Sequence, residues 1–366
     1  SPVTSDQGGS GMKKVCLLIM VFSFVALSTP GAQEFPSIYK GTRPMGMGGA
    51  FTALSNDAAA LFYNPAGLAA IKERRTMLFP LEIGLGRGAY DFYDEALDVD
   101  FDSTKETTDF LRKYAGDYAH ASFALFPNHA RPNFAFGLIA AGRSNLQVRD
   151  RLYPRLIADM VGDAGVCAGY ARSFLGDRLS LGGGLKYLFR KSLNEEYTVV
   201  DITTGDFEDR LEDDVQDGSG VLLDLGVIYK VHTGRINATD VTLQVGMSAN
   251  NLIGNKLGDA QDLHNNVSVG VAALTSSVAV TMDYVDLLNQ FEGDDDVAKR
   301  LRFGVEYALP KYATVRTGFY QGYLTMGLTL KGSIVQLDLL TYAEEIGAYS
   351  GQRSDRRYVL GLSFGR

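Results

Sequence analysis

Tryptophan is absent from the 366 residues, cysteine occurs twice, histidine four times and proline ten times. Cys16 lies in an N-terminal apolar run and Cys167 in the body of the chain. An exported chain that has shed Cys16 has no internal disulfide and draws its stability from packing or sheet closure. No later segment approaches about eighteen uninterrupted apolar residues, which excludes helical membrane spans and leaves strands as the way across a bilayer. Basic residues are outnumbered 35 to 43, for a net charge of −8. The phosphate neutralisation that dominates nucleic-acid binding therefore has no source, and nucleic acid is excluded as a partner.

What is present points to β structure. Gly 41, Phe 20 and Tyr 19 stand in a chain that is 46% hydrophobic and 21% charged. That mix favours pleated strands and close backbone approach over long helices, and it is too apolar for disorder. Residues 1–11 read as a polar upstream extension. Residues 12–32 read as a secretory signal: Lys13-Lys14, the apolar run Val15 to Leu27, then Ser28-Thr29-Pro30-Gly31-Ala32.

The body alternates with period two. Leu179, Leu181, Leu185, Tyr187 and Phe189 oppose Ser180 and Lys186; Val221, Leu223, Leu225, Val227 and Tyr229 oppose Asp224 and Lys230. Leu301, Phe303, Val305 and Tyr307 oppose Arg302 and Glu306; Val335, Leu337 and Leu339 oppose Gln336 and Asp338. About fourteen such strands of about 9 to 12 residues can be traced, a length suited to tilted membrane crossings. They begin near Thr76, Tyr118, Asn133, Ala164, Leu179, Gly220, Val241, Asn266, Val278, Leu301, Ala313, Tyr323, Ile334 and Arg356.

The connections sort into two kinds. Long polar ones are Asp91 to Gly116, Ser144 to Asp163, Lys191 to Asp217, Asn250 to His264, Asp286 to Lys299 and Glu344 to Asp355. Short ones are Pro127 to Arg131, Gly176-Asp177, Thr233-Gly234, Thr275-Ser276, Pro310-Lys311 and Gly332-Ser333, with Gln321-Gly322 a tight turn on the long-loop side. Long loops on one side and short turns on the other are the rhythm of outer-membrane barrels, and a soluble sandwich is the competing reading of the alternation alone. The fold expected is all-β: a transmembrane antiparallel β-barrel of about fourteen strands over 76–366. Tyr187, Tyr229, Tyr307 and Tyr358 supply the interface belt that tryptophan usually provides.

Residues 33–75 show no alternation. Gly46, Gly48 and Gly49 permit tight backbone turns, Ser55, Asn56 or Asp57 can cap a short helix through Phe62, and Asn64 can cap another from Pro65. This compact, small-residue stretch, containing Phe51, Leu61, Phe62 and Ala66, reads as a hatch held within something larger. The stretch from Gly41 to Leu68, with its Gly-rich start, its Asp57-Ala58 small-residue helix and its Asn64-Pro65-Ala66 signature, resembles the N-terminal hatch of the FadL family of outer-membrane barrels. It is similar also to PorV-type barrels of secretion systems. The resemblance implies a fourteen-strand barrel plugged by the hatch, with hydrophobic molecules caught by outer loops and released through the wall or past the plug. The family's barrels end on an aromatic, whereas Phe364 here is followed by Gly365-Arg366.

Other motifs carry no chemistry. Gly361-Leu362-Ser363-Phe364-Gly365 matches a nucleophile elbow without the helix that such a turn must enter. Asp98, Asp100 and Asp102 have the first spacings of a calcium loop, but Ser103 and Asp109 replace its Gly and Glu. Ser103 and Glu106 instead suggest a capping box on a helix whose apolar side is Phe110, Leu111 and Tyr114, placed to cover the barrel mouth and collect apolar ligands. His120, His129, His232 and His264 lack ligand spacing and read as surface or interface residues, so no metal site is expected. An outer-membrane hydrolase would need a clustered nucleophile and base, which the linear sequence does not display.

Lys186, Asp224, Asp283, Arg302, Glu306, Arg316, Gln336 and Asp338 are expected to point into the lumen, where mixed signs favour salt bridges over an ion-selective pore. The acidic runs Asp213-Asp214 and Asp294-Asp295-Asp296 fall in outer loops, where water or cations shared with lipopolysaccharide would surround them. The function expected is passive, cofactor-free uptake of hydrophobic small molecules, such as long-chain fatty acids or aromatic hydrocarbons, across the bacterial outer membrane. The alternative is a PorV-like scaffold whose outer loops grip a protein partner.

Overall fold

The computed structural model describes residues 34–236, 239–290 and 296–365. The leader with Cys16 and the Asp294-Asp295 pair lie outside them. One antiparallel sheet holds sixteen hydrogen-bonded stretches. The first four make two interrupted strands, so the sheet is a closed barrel of fourteen. The first half is β1 (Arg75–Met77 continued by Leu81–Gly86), β2 (Tyr118–Leu125 continued by Asn128–Arg131), β3 (Phe134–Arg149), β4 (Arg155–Phe174), β5 (Leu179–Thr198), β6 (Gln216–Ile236) and β7 (Thr239–Asn250). The second half is β8 (Asn266–Leu274), β9 (Val278–Tyr284), β10 (Leu301–Leu309), β11 (Ala313–Tyr320), β12 (Tyr323–Lys331), β13 (Val335–Glu345) and β14 (Ser354–Phe364).

Closure comes from β14 pairing back on β1, with Leu360 opposite Ile83 and Gly361 opposite Glu82. The interruptions in β1 and β2 coincide with Pro80 and Pro127, which have no N–H to give a ladder. The two breaks face each other, and the Phe126 N–H donates to the Pro80 carbonyl at 3.1 Å.

The alternation has the sign of a membrane wall. On β5, Leu181, Leu185, Tyr187 and Phe189 are exposed while Ser180, Lys186 and Arg190 are buried. On β6, Val221, Leu225, Val227 and Tyr229 are exposed and Asp224 is fully buried. Tyr307 and Tyr358 also face outward. Apolar side chains outside and charges inside are stable only if the outer solvent is hydrocarbon and the inner charges have partners. A soluble sandwich would bury the opposite face.

Twelve of the fourteen strands begin within two residues of their expected starts. The largest departures lie at the outer ends of β3 to β6, which run 16, 20, 20 and 21 residues. A tilted crossing needs about 9–11, so these strands rise well past the bilayer. The flanks of Ser144 to Asp163 (144–149 and 155–163) and of Lys191 to Asp217 (191–198 and 216–217) are therefore paired strand rather than loop; Ser144 pairs with Met160 and Lys191 with Asp217. Their polarity reflects water on an extended sheet. Two expected turns are strand as well: Asn128 to Arg131 pairs with Phe134 to Gly137, and Thr233-Gly234 pairs with Val241-Thr242.

Helices occupy the N-terminal segment and the outer side: α1 (Thr42–Gly46), α2 (Ala89–Ala96), α3 (Thr104–Lys113), α4 (Val199–Thr203), α5 (Phe207–Asp213) and α6 (Val297–Arg300). Ser103 caps α3 by accepting from the Glu106 N–H at 3.4 Å. The Glu106 carboxylate accepts from the Asp100 N–H at 3.1 Å, so only half of the expected box forms. Residues 251–265 turn inward rather than into water, and Leu257 and Leu263 are fully buried.

Candidate functional site

Residues 34–74 pack on the inner faces of the strands, and glycines make the fit possible. Gly48 holds φ 64, and a Cβ there would lie 2.3 Å from the Phe319 carbonyl and 2.5 Å from that of Phe303. Only a residue without a side chain can take that conformation so close to the wall. Gly304 and Gly318 leave the matching space for Met47, and Gly46 lies against Gly327. Gly49 sits beside Arg302, whose guanidinium is over the Tyr320 ring at 4.9 Å. Phe51 is fully buried, edge-on to Tyr63, and Phe62 packs on Tyr39 and Phe126 at 5.1 Å each. Leu61 is buried beside Leu68.

Backbone polar groups of the segment are met by the wall. Asp283 accepts from the Phe51 and Thr52 N–H groups at 2.7 Å each, and Thr281 donates to the Ala50 carbonyl at 2.8 Å. Two short 3₁₀ turns, Ala58–Leu61 and Pro65–Ala70, are capped by Asp57 and Asn64. Asn64 also donates to the Thr52 carbonyl at 2.7 Å and reaches the Val227 and Met247 carbonyls at 3.3 Å. A Cβ on Gly182 would fall 2.4 Å from the Ala66 nitrogen and from the Pro65 carbonyl carbon. Asn64→Ala, which strands the Thr52 carbonyl and one N–H of the capped turn, should cost about 1–3 kcal/mol of stability. Urea unfolding in detergent, followed by circular dichroism, measures it.

The eight residues expected in the lumen project inward, and four of them, Lys186 with Asp224 and Glu306 with Arg316, form ion pairs among themselves. Glu306 takes Arg43 through two hydrogen bonds of 2.8 Å and Arg316 through one of 2.6 Å. Asp338 accepts from Thr329 and from Gln336, the latter at 2.7 Å. Arg302 forms no ion pair among the described residues. A third network joins the segment to β13 and β14, where Glu34 and Lys40 meet Arg357, Glu344 and Asp355. The sequence offered no signal for it beyond the charges themselves.

Above the lumen, α2 to α5 lean on the outer ends of β3 to β5 and enclose an apolar cavity of about 120 Å³. Phe92, Leu111, Leu146, Ala158, Leu193 and Ile202 line it. Phe110, expected on the apolar side of α3, stacks obliquely on Phe92 at 5.1 Å, and Tyr114 meets the same ring edge-on. At the rim Lys113 and Tyr114 both donate to Glu95, and these bonds hold its carboxyl below the usual glutamate range. Burial, reinforced by Glu95, pushes the Tyr114 phenol up to about 12. The helical part of this pocket was legible as an apolar stripe. The strand part was not, because polar neighbours hid Leu146, Ala158 and Leu193.

No model of a known protein family matches the chain, and no curated protein does. Solved structures do. The Pseudomonas putida toluene transporter TodX superposes with a TM-score of 0.51 at 11% identity, over 90% of this chain and 99% of that one. A deltaS2 mutant of TodX, a monoaromatic hydrocarbon channel, gives 0.50 at 12% identity, over 89% and 98%. The chain shares their barrel fold. The CymD monoaromatic hydrocarbon channel aligns over 91% and 98% at 12% identity, with a TM-score of 0.49.

His120, expected at the surface or at an interface, lies on the inner face of β2 against the chamber that Glu34, Ile38 and Lys40 also line. It is buried, with Nδ1 2.6 Å from Asn145 Oδ1 and Nε2 3.1 Å from Ser122 Oγ.

Proposed function

We infer that this chain is an outer-membrane barrel that admits hydrophobic small molecules by diffusion, and that single-ring aromatic hydrocarbons are its best-fitting ligands. The observation that carries this reading is the outer cavity of about 120 Å³, lined by aromatic and aliphatic side chains. Apolar cavities of about 150 Å³ stay dry and take up benzene. Apolar solutes are held back by the polar surface of the outer membrane, and an apolar station there lowers the desolvation barrier without an energy source. The toluene and monoaromatic channels of the same fold support the ligand class. Phe92, Phe110 and Leu111 turn toward the cavity rather than outward, which favours a small ligand over a protein gripped by the loops.

Residues 34–74 serve in this reading as the hatch. Its ion pairs and glycine contacts seal the lumen to polar solutes while leaving chambers of about 90 Å³ between it and the wall. Gly182→Leu, which drives a side chain into Pro65 and Ala66, should unseat the hatch. Single-channel conductance in planar bilayers is expected to rise from near zero to a porin-like level.

The test of transport is toluene entry into proteoliposomes that contain the full processed chain. Entry faster than into protein-free vesicles, and saturable, supports the reading. Equal rates with correctly folded barrel refute it.

A further inference from the structure

The inward face of β2 and β3 holds a set of groups that diffusion does not use. His120 and Ser122 are two apart on β2 and share one face, and β3 places Asn145 opposite His120 and Arg143 opposite Ser122. The amide orientation of Asn145 is settled by its neighbours. Its Nδ2 donates to Asp159 at 3.1 Å and to Glu34 at 3.3 Å, both carboxylates, so Oδ1 is turned to His120. A carbonyl oxygen accepts only, so His120 carries its proton on Nδ1, and Nε2 presents a lone pair to the Ser122 hydroxyl at 3.1 Å. Nucleophile, base and orienting group thus stand in the order and tautomer of acyl-transfer triads.

The hydroxyl opens on a chamber. Ser122, His120 and Arg143 line a cavity of about 90 Å³, with Ile38, Tyr342 and Val359 as apolar walls. On the other side β1 places Gly84 opposite Ser122, and a Cβ there would stand 2.5 Å from Oγ. The space around the nucleophile therefore depends on glycine. Arg143 Nε is buried and has no hydrogen-bond partner among the described residues, which leaves a free donor on the residue paired with Ser122 and lining the same cavity.

We propose that Ser122, His120 and Asn145 form a hydrolytic site for small apolar carboxylic esters inside the barrel. Ser122 Oγ bonds to the ester carbonyl carbon while His120 Nε2 takes the hydroxyl proton, and Arg143 Nε donates to the oxyanion. The tetrahedral adduct collapses, the C–O bond to the alcohol breaks, and the departing oxygen receives the proton from His120. Water then attacks the acyl-Ser122 ester, gives a proton to His120, and releases the acid as Ser122 Oγ regains that proton. No oxidant, reductant or metal enters the balance. Ser122 and His120 are the catalytic residues, and Asn145 is a positioning residue. The site extends the uptake reading and does not rest on it.

The experiment uses the full processed chain in detergent micelles with p-nitrophenyl acetate as substrate and diisopropyl fluorophosphate as label. Turnover, and a single phosphoryl adduct on the peptide bearing Ser122, are expected. Ser122→Ala should abolish both, and His120→Ala should lower turnover about 10²–10⁴-fold. Asn145→Ala should lower kcat at least about tenfold with KM unchanged, a split that a loosened wall would not produce. Ser122→Cys provides a second measure: iodoacetamide should alkylate it faster than the same thiol in a background carrying His120→Ala. No turnover and no adduct in the parent chain, an adduct elsewhere, or parental turnover in folded Ser122→Ala overturns the proposal.

Discussion

Ala158→Trp is expected to abolish most hydrocarbon uptake while leaving the barrel intact. Ala158 is buried on the outer part of β4 and lines the apolar cavity between the loop helices and the extended strands. An indole there occupies much of the about 120 Å³ that a ligand would fill. A ligand ring deprived of that burial loses about 1.5–3 kcal/mol. At 1.4 kcal/mol per decade, affinity then falls roughly 10- to 100-fold. Toluene entry into proteoliposomes should fall in step at subsaturating concentration. The substitution lies above the crossing segments and outside the ionic networks, so unfolding by urea should shift little. Unchanged entry in this variant would mean that the outer cavity is not on the ligand's route.

Arg357→Leu should produce the largest loss of stability. The Arg357 side chain is fully buried, with Nη1 3.0 Å from Glu34, Nε 2.7 Å from Asp355, and Glu344 at 3.8 Å. Lys40 supplies the other positive charge and binds Glu34 and Glu344, the latter at 2.7 Å. Without the guanidinium, three carboxylates share one ammonium in a place water does not reach freely. Removing one partner of a buried ionic cluster costs about 3–5 kcal/mol, because the remaining charges keep their desolvation penalty and lose their attraction. The midpoint of urea unfolding in detergent should drop accordingly. Arg357→Lys keeps the charge but not the fork that reaches both Glu34 and Asp355, so it should fall between. A shift smaller than about 1 kcal/mol would show that water screens the cluster as it does surface pairs.

The two predictions probe different halves of one design. The cavity depends on apolar surface that never meets lipid, and the ionic seam depends on charges that never meet bulk water. Both are hidden by the same wall, whose outer face carries Leu181, Leu185 and Phe189 and whose inner face carries Lys186 and Arg190. The proposed hydrolytic site belongs to that inner face and adjoins the same ionic seam, since Glu34 accepts from both Asn145 and Arg357. Movement of residues 34–74 would thus alter the lumen seal and the orientation of His120 together.

Much of the barrel was legible because strand geometry has a period of two and little else competes with it. Alternation located Leu179 and Val278 as strand starts, and Asn64 announced its cap through the Pro65 that follows it. Reading failed where polarity was taken to mean loop. Ser144, Asn145 and Lys191 are strand residues because β3 to β6 continue beyond the bilayer, where a sheet need not be apolar.

Local pattern therefore determined that this chain would make about fourteen amphipathic strands, put apolar side chains on one side of them, and carry a small-residue segment ahead of the first. Which face met lipid, which charge met which, and which strands stood side by side were decided by closure. Register across β2 and β3 alone sets Asn145 against His120, residues 25 apart in the chain. That pairing leaves no periodic trace, because the energy of a cross-strand contact depends on the partner strand and not on neighbours in sequence.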